Sequence, residues 1–351
     1  MMALFSALVY LIDRISSQRL KGFLSTLVLP SAFVAMDYIS VITNPGGSFG
    51  AIATTQNSLP LLQLLSLTGM WGITFVIYWT ASVVNWILDR NLAKESLRKA
   101  FFACLIPLVF LIFYGQILLS QNNGKETVKI ASVNIGRENI RNVFSGYPDQ
   151  ANEEINDNFL ENCRIASRSQ AKIVFGNEMM LNVSSENEEN FLEKAKAVAI
   201  QNSLYIGLPL LVYPEEQAGT YPVNKITWIS PDGEIVLSTN KAKPTPGEGD
   251  YGDAIIRVFE SPYGNISSVI CFDMDFPVLM KQAGRLGVDI MLVPGNDWKA
   301  ITPYHTFVSS FRGMEQGFNL VRSASRGLSA AFDAKGRLLA SQNYFQTDDS
   351  L

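Results

Sequence analysis

The hydrophobic positions of this chain follow different rules on either side of residue 121. Before it, apolar residues form long runs at 23–41, 61–88 and 100–119. At 1.5 Å per residue each is long enough to cross about 30 Å of hydrocarbon as a helix. Three buried helices of a soluble core are the alternative, and runs of this length suit it poorly. A shorter apolar stretch, 1–12, is followed by Asp13-Arg14 and by no small-residue cleavage site. It reads either as a signal-like start or as the tail of a further span.

From residue 127 the pattern changes to short apolar strands alternating with amphipathic helices. Strands are predicted at 128–133, 173–175, 204–208, 225–230, 234–238, 254–260, 266–272, 290–293, 320–323 and 329–333. Helices are predicted at 152–169, 188–201, 278–285 and 304–317. Ile155, Phe159, Leu160 and Cys163 fall on one side of the first helix. Pro231-Asp232-Gly233 is a good turn between two strands of a hairpin. This succession predicts a layered α/β domain with a mixed sheet, with functional residues at strand ends. The expected division is a transmembrane helical region, 1–122, and an α/β domain, 123–351.

Charge adds an orientation. The first loop carries Arg14, Arg19 and Lys21, the loop 43–60 carries no charge, and the third carries Arg90, Lys94, Arg98 and Lys99. Positive loops stay in the cytoplasm, so the third span is expected to deliver the α/β domain to the extracytoplasmic side. Asp37 lies inside the first span, where an acid usually has a partner or an aqueous neighbour; placement near the outer interface is the equal alternative. A net charge of -4 gives no electrostatic basis for binding nucleic acid. Cys104, Cys163 and Cys271 are too scattered for a disulfide framework and lack zinc-site spacing.

Three strand ends supply candidate chemistry. Glu178 follows Phe175-Gly176-Asn177, Lys241 follows the second hairpin strand, and Cys271 closes the run Val269-Ile270. A carboxylate, an ammonium and a thiol are a base, a cation and a nucleophile, the minimum set for acyl transfer through a thioester. Phe272-Asp273-Met274-Asp275-Phe276-Pro277 turns the strand abruptly towards a proline-initiated helix, as an exposed elbow would. Glu248 is placed to orient Lys241 or support the base, and Lys243 competes for the cation's role. His305, the sole histidine, is the rival partner for Cys271, but at the start of the helix 304–317 a structural role is the favoured reading.

Glu178, Lys241 and Cys271 resemble the Glu-Lys-Cys triad of the nitrilase (carbon-nitrogen hydrolase) superfamily, and within it the apolipoprotein N-acyltransferase family. The loop from Lys241 to Gly247-Glu248, the Cys271-Phe272-Asp273 elbow, Asn296-Asp297-Trp298, His305, Arg312, Glu315, Arg322 and Gly327 carry the resemblance. So do Leu29-Pro30, Asp37, Gln63, Gly69 and Phe75 in the apolar half. Phe272 and Asp273 stand where that family usually has Tyr and Glu, and the segment 135–147 lacks an expected tryptophan. The resemblance implies an αββα sandwich after a transmembrane region, with Glu178, Lys241 and Cys271 catalytic. Glu248, Phe272 and Asp273 are implied as binding or supporting residues. It implies a phospholipid acyl donor, a lipoprotein acceptor, and a multi-pass place in a bacterial cytoplasmic membrane. Neither metal nor cofactor is expected, and the chain is expected to be shortened at both ends relative to that family. The competing expectations are a membrane-tethered amidohydrolase and a non-catalytic scaffold.

Overall fold

A computed structural model of the protein describes residues 2–20, 22–89, 94–121, 126–134, 149–214, 221–245, 248 and 252–346. The segment 135–147 lies outside them. The chain divides into two compact units, Met1–Asn123 and Gly124–Leu351.

The first unit is helical: α1 (Met2–Arg19), α2 (Val28–Thr43), the short α3 (Leu59–Leu62) and α4 (Leu65–Thr68), α5 (Met70–Asp89) and α6 (Lys94–Ser120). Among the described residues, three segments are long and apolar enough to cross a membrane: Gly22–Thr43, Met70–Leu88 and Leu97–Ser120. The predicted run 61–88 is therefore not one helix. Gly69, at φ +61°, ends α4 in the left-handed region, and the span starts afresh at Met70. Helix α1 runs straight through Asp13-Arg14. Helices α2 and α5 pack through Phe33 stacked on Tyr78, with ring centroids 3.7 Å apart. The Asp37 carboxylate accepts a 2.9 Å hydrogen bond from Thr74 of α5, so the acid in the first span has its partner on a neighbouring helix.

The second unit contains two six-stranded sheets. The first is built from β1 (Ile130–Val133), β2 (Ile173–Gly176), β3 (Leu181–Ser184), β4 (Tyr205–Tyr213), β5 (Val223–Ile229) and β6 (Ile235–Asn240). Their order is β1-β2-β4-β5-β6, with β3 also on β4. The second contains β7 (Val258–Ser261), β8 (Gly264–Ser268), β9 (Ile290–Asn296), β10 (Asn319–Ser325), β11 (Leu328–Phe332) and β12 (Leu338–Asn343), ordered β12-β11-β10-β9-β8-β7. Helices α7 (Asp149–Arg168) and α8 (Glu188–Asn202) accompany the first sheet, and α9 (Pro277–Arg285) and α10 (Tyr304–Gln316) the second.

Strand periodicity dictates the layers. Successive side chains point to opposite faces, so Val174 joins Phe159, Leu160, Cys163 and Phe191 under the first helix pair, while Ile173 and Phe175 face the other sheet. In β9, Met291 and Val293 pack with Met280 of α9, whereas Ile290 and Leu292 meet Trp228 and Phe175 in the shared centre. The result is an αββα sandwich, as expected. Gly207 makes room for two aromatics of the first sheet: a Cβ there would lie 2.6 Å from the Trp228 ring and 2.9 Å from Phe175 Cβ.

Three predicted strands are shorter than expected, the first of them, 128–133, pairing only from Ile130. Residues 254–257 precede β7 outside the ladder, and the run 266–272 leaves it after Ser268, because Cys271–Asp275 form a 3-10 turn. Strands β3 and β12 were not predicted.

Candidate active site

Glu178 sits in the turn that leaves β2, beside Met179 at φ +55°. It is 3% exposed. Its Oε1 accepts hydrogen bonds from Asn224 Nδ2 of β5 at 2.9 Å and from Lys241 Nζ at 2.8 Å. Its Oε2 accepts none among the described residues, so one carboxylate oxygen is anchored and the other is open to a proton.

Lys241 follows β6 and is 1% exposed. Its backbone N–H donates to the Asn224 carbonyl at 2.9 Å, which fixes the chain as it leaves the strand. Its ammonium also donates to both Glu248 oxygens, at 3.0 and 2.7 Å. Thr245 N–H in turn holds Glu248 Oε2 at 2.7 Å. Burial alone would favour the neutral amine, but Glu178, Cys271 and Glu248 outweigh it and hold Lys241 above its ordinary range. It is a fixed cation. Lys243, the predicted competitor, instead lies over the Phe276 ring, 5.0 Å from its centroid.

Cys271 opens the 3-10 turn after β8 at φ +46°, in the left-handed region. The elbow was expected to be exposed, yet Cys271 is only 6% exposed, because both sheets close over it. Burial first, and Glu178 second, push its thiol upward, while Arg322 and Lys241 pull it down and Asp297 adds to the rise. The balance favours the neutral thiol, so a thiolate forms only as a base removes the proton.

Asp273 links this elbow to the lysine loop. Its carboxylate accepts from the N–H groups of Ile270 at 2.9 Å, Lys243 at 2.7 Å and Ala242 at 3.4 Å. Burial nevertheless pushes its carboxyl up to about 6, against the opposing pull of those donors and Lys241. Because this value lies above the ordinary 3.8, folding favours the protonated form. The group's contribution to stability is full in acid and is lost as pH rises from about 4 through about 6. We expect the melting temperature of the protein to fall relative to Asp273→Asn across that window, and parallel melting curves would remove Asp273 as the titrating group. Phe272, half-buried, packs edge-on against Phe276 with centroids 5.2 Å apart.

The structure thus brings Glu178, Lys241 and Glu248 into direct contact beside Cys271, with Asp273 bracing the elbow. His305 is held between two carboxylates. Its Nδ1 meets Asp297 Oδ1 at 2.9 Å and its Nε2 meets Asp275 Oδ2 at 2.8 Å, so both ring nitrogens are engaged. Burial and Arg322 oppose protonation of this ring, but the two carboxylates prevail and raise it. Cys271, Asp297 and His305 place potential metal-ligating atoms within 4.8 Å of one another. That corner does not suit a cation from outside, because Arg322 Nη2 already stands 2.8 Å from Asp297 Oδ1 and 2.9 Å from His305 Nδ1. Sequence reasoning assigned no role to Asn224 and named Asp297 and Arg322 only as part of a pattern. Asn224 had no local signal, since its partner lies 46 residues away.

Residues 129–348 match the carbon-nitrogen hydrolase family, and residues 1–83 match the apolipoprotein N-acyltransferase N-terminal domain. Among curated relatives, apolipoprotein N-acyltransferase of Geobacter metallireducens is 22% identical, over 98% of this chain and 71% of its own length. That of Rickettsia prowazekii is 23% identical, over 81% of this chain and 60% of its own length. The Bradyrhizobium diazoefficiens protein of that name is 26% identical over 85% and 61%. The chain thus spans between 60% and 71% of the length of these relatives. Among solved structures, an amidase from Nesterenkonia sp. AN1 superposes with a TM-score of 0.50 at 17% identity, over 55% of this chain and 84% of the amidase. That similarity concerns the fold alone.

Proposed function

The chain belongs to the carbon-nitrogen hydrolase family, and from that premise we propose that it works as an apolipoprotein N-acyltransferase, moving a fatty acyl chain from a phospholipid to the α-amine of a diacylglyceryl-cysteine lipoprotein. One observation carries the reading. A buried Glu178–Lys241 pair, braced by Glu248, acts on the Cys271 sulfur in a chain whose described residues also include three helices long and apolar enough to span a membrane.

Glu178, through Oε2, takes the Cys271 proton. The sulfur attacks the ester carbonyl carbon, and a tetrahedral oxyanion forms beside the Lys241 ammonium and a backbone N–H near Phe272. The C–O bond breaks, and the departing oxygen receives the proton from Glu178 and leaves as lysophospholipid. In the second step the lipoprotein amine attacks the thioester carbon. The C–S bond breaks, the amine's extra proton passes to Glu178, and from there it returns to Cys271. Lys241 stays charged throughout, so it stabilises the oxyanion without exchanging protons. Asn224 and Lys241 hold Oε1, which leaves Oε2 as the proton carrier in both steps. The loop charges support a place in a bacterial cytoplasmic membrane, with several spans and the catalytic domain on the extracytoplasmic side.

The amidohydrolase alternative differs only in the second acceptor, water. Incubation of the purified chain with phospholipid, followed by mass spectrometry of the Cys271 peptide, separates the two. A fatty-acyl adduct that persists alone and disappears when a diacylglyceryl lipopeptide is added supports the transferase. Prompt release as free fatty acid supports the hydrolase. An adduct still found at full yield in Cys271→Ala would rule out both.

A further inference from the structure

The mechanism above gives no role to Arg322, a buried cation next to the Cys271 sulfur. Arg322 lies in β10 and is fully buried. By strand alternation it shares the face of Leu320 and Ala324 and points towards the α9–α10 layer. Its Nη2 stands 3.7 Å from Cys271 Sγ, within reach of an N–H to sulfur hydrogen bond. The same nitrogen is held by Asp297 Oδ1 at 2.8 Å, and Nη1 reaches Ser309 Oγ of α10 at 3.4 Å. Asp297 is itself fixed by His305, whose far nitrogen is tied to Asp275. Room for the planar group comes from Gly295 on the neighbouring strand: a Cβ there would lie 2.8 Å from Nη2.

We propose that Arg322 is a positioning residue for the acyl-transfer reaction, a second cation that holds and stabilises the Cys271 sulfur whenever it carries negative charge. The inference rests on the reading of Cys271 as the nucleophile. The division of labour between the two cations follows from their chemistry. Lys241 serves the oxygen side, bridging Glu178 and Glu248 where the base and the oxyanion lie. Arg322 serves the sulfur side, approaching from the opposite sheet layer. A guanidinium cannot give up its proton under these conditions, so it favours the thiolate without competing as an acid. The sulfur is charged twice in each cycle, once as attacking thiolate and once as the group expelled from the second tetrahedral intermediate. Arg322 lowers the barrier to both events, and in the neutral thioester its charge is answered by Asp297. The groups facing the sulfur are Glu178 from the turn after β2, Lys241 from the end of β6, Asp297 after β9, His305 on α10 and Arg322 on β10. Among them Arg322 and Lys241 pull the thiol towards ionisation.

The test reads the thiol directly. Carbamidomethylation of Cys271 by iodoacetamide is followed by mass spectrometry as a function of pH in the detergent-solubilised full chain. In Arg322→Gln the midpoint of the pH–rate curve should move up by about one unit or more, the scale of a lost neighbouring opposite charge. In Arg322→Lys, which keeps the cation but loses the second N–H of the fork, it should move up by less. Lysophospholipid release should slow in the same order. An unshifted midpoint in either variant that retains the melting temperature of the parent overturns the proposal and leaves Arg322 a structural partner of Asp297. If Arg322→Gln does not fold, Arg322→Lys decides by the same criterion. The alkylation readout needs no lipid. A shifted midpoint without any acyl adduct therefore upholds the role of Arg322 and counts against the acyltransferase reading instead.

Discussion

Cys271→Gly is expected to abolish acyl transfer and, at the same time, to make the protein more stable than Cys271→Ala. Loss of a nucleophile that works with a base costs about 10⁴-fold or more in rate. Both variants should therefore fail to form an acyl adduct and to turn over phospholipid. They differ at the backbone. Residue 271 is held at φ +46°, where a Cβ crowds the following carbonyl and costs about 1–2 kcal/mol, and glycine has no Cβ to crowd it. Glycine's greater freedom in the unfolded chain takes back part of that gain, so the net difference should be about 1 kcal/mol. Thermal melting of the two variants in the same detergent measures it. Equal melting temperatures would mean that the elbow stores no strain, and that the nucleophile's conformation is simply what its neighbours impose at no cost.

The second large effect belongs to Lys241→Met. Methionine nearly matches the lysine stem in volume, so the change removes the charge more than the packing. Glu178 and Glu248 would then share a buried pocket with no cation between them, where three hydrogen bonds of 2.7 to 3.0 Å now hold the lysine. Breaking a buried pair in this way costs about 3–5 kcal/mol. The lower end applies here, because Glu248 keeps 16% of its side chain in contact with solvent and can be rehydrated. Denaturant unfolding should show the loss as a lower midpoint, and the variant should form no acyl adduct even where it remains folded. A folded Lys241→Met that acylates Cys271 at the parent rate would transfer the oxyanion role elsewhere.

Much of this site could be read from the chain itself, because each of its three main groups follows a short apolar strand and faces an abrupt change in polarity. Glu178 after Ile173-Val174-Phe175 and Lys241 after the hairpin needed only strand recognition. What escaped was set by contacts distant in sequence. Glu178 meets Asn224 46 residues away and Lys241 63 residues away, and Arg322 meets Cys271 across 51. Nothing local in Val321-Arg322-Ser323 marks an arginine aimed at a sulfur. Hydropathy summed over 61–88 passes over Gly69, because a left-handed φ is a property of one residue while a window averages many. Strand β12 has no apolar alternation to find, since Leu338 and Leu339 are both exposed. The elbow looked exposed because acidic residues usually seek water. Here Asp273 and Asp275 are buried, one on backbone N–H groups and one on His305.

The two halves of the chemistry come from different sheets. Glu178 and Lys241 leave strands of the first, while Cys271, Asp297 and Arg322 belong to the second. A chain emerging from synthesis makes the first sheet's residues before the second's, and contacts so far apart in sequence form slowly. Until the sandwich closes, the sulfur has no base beside it and is an ordinary thiol. The protein therefore carries its own safety catch. On the proposed function, a half-folded molecule would be unable to take acyl chains from lipid, and reactivity would arrive only with the last step of assembly.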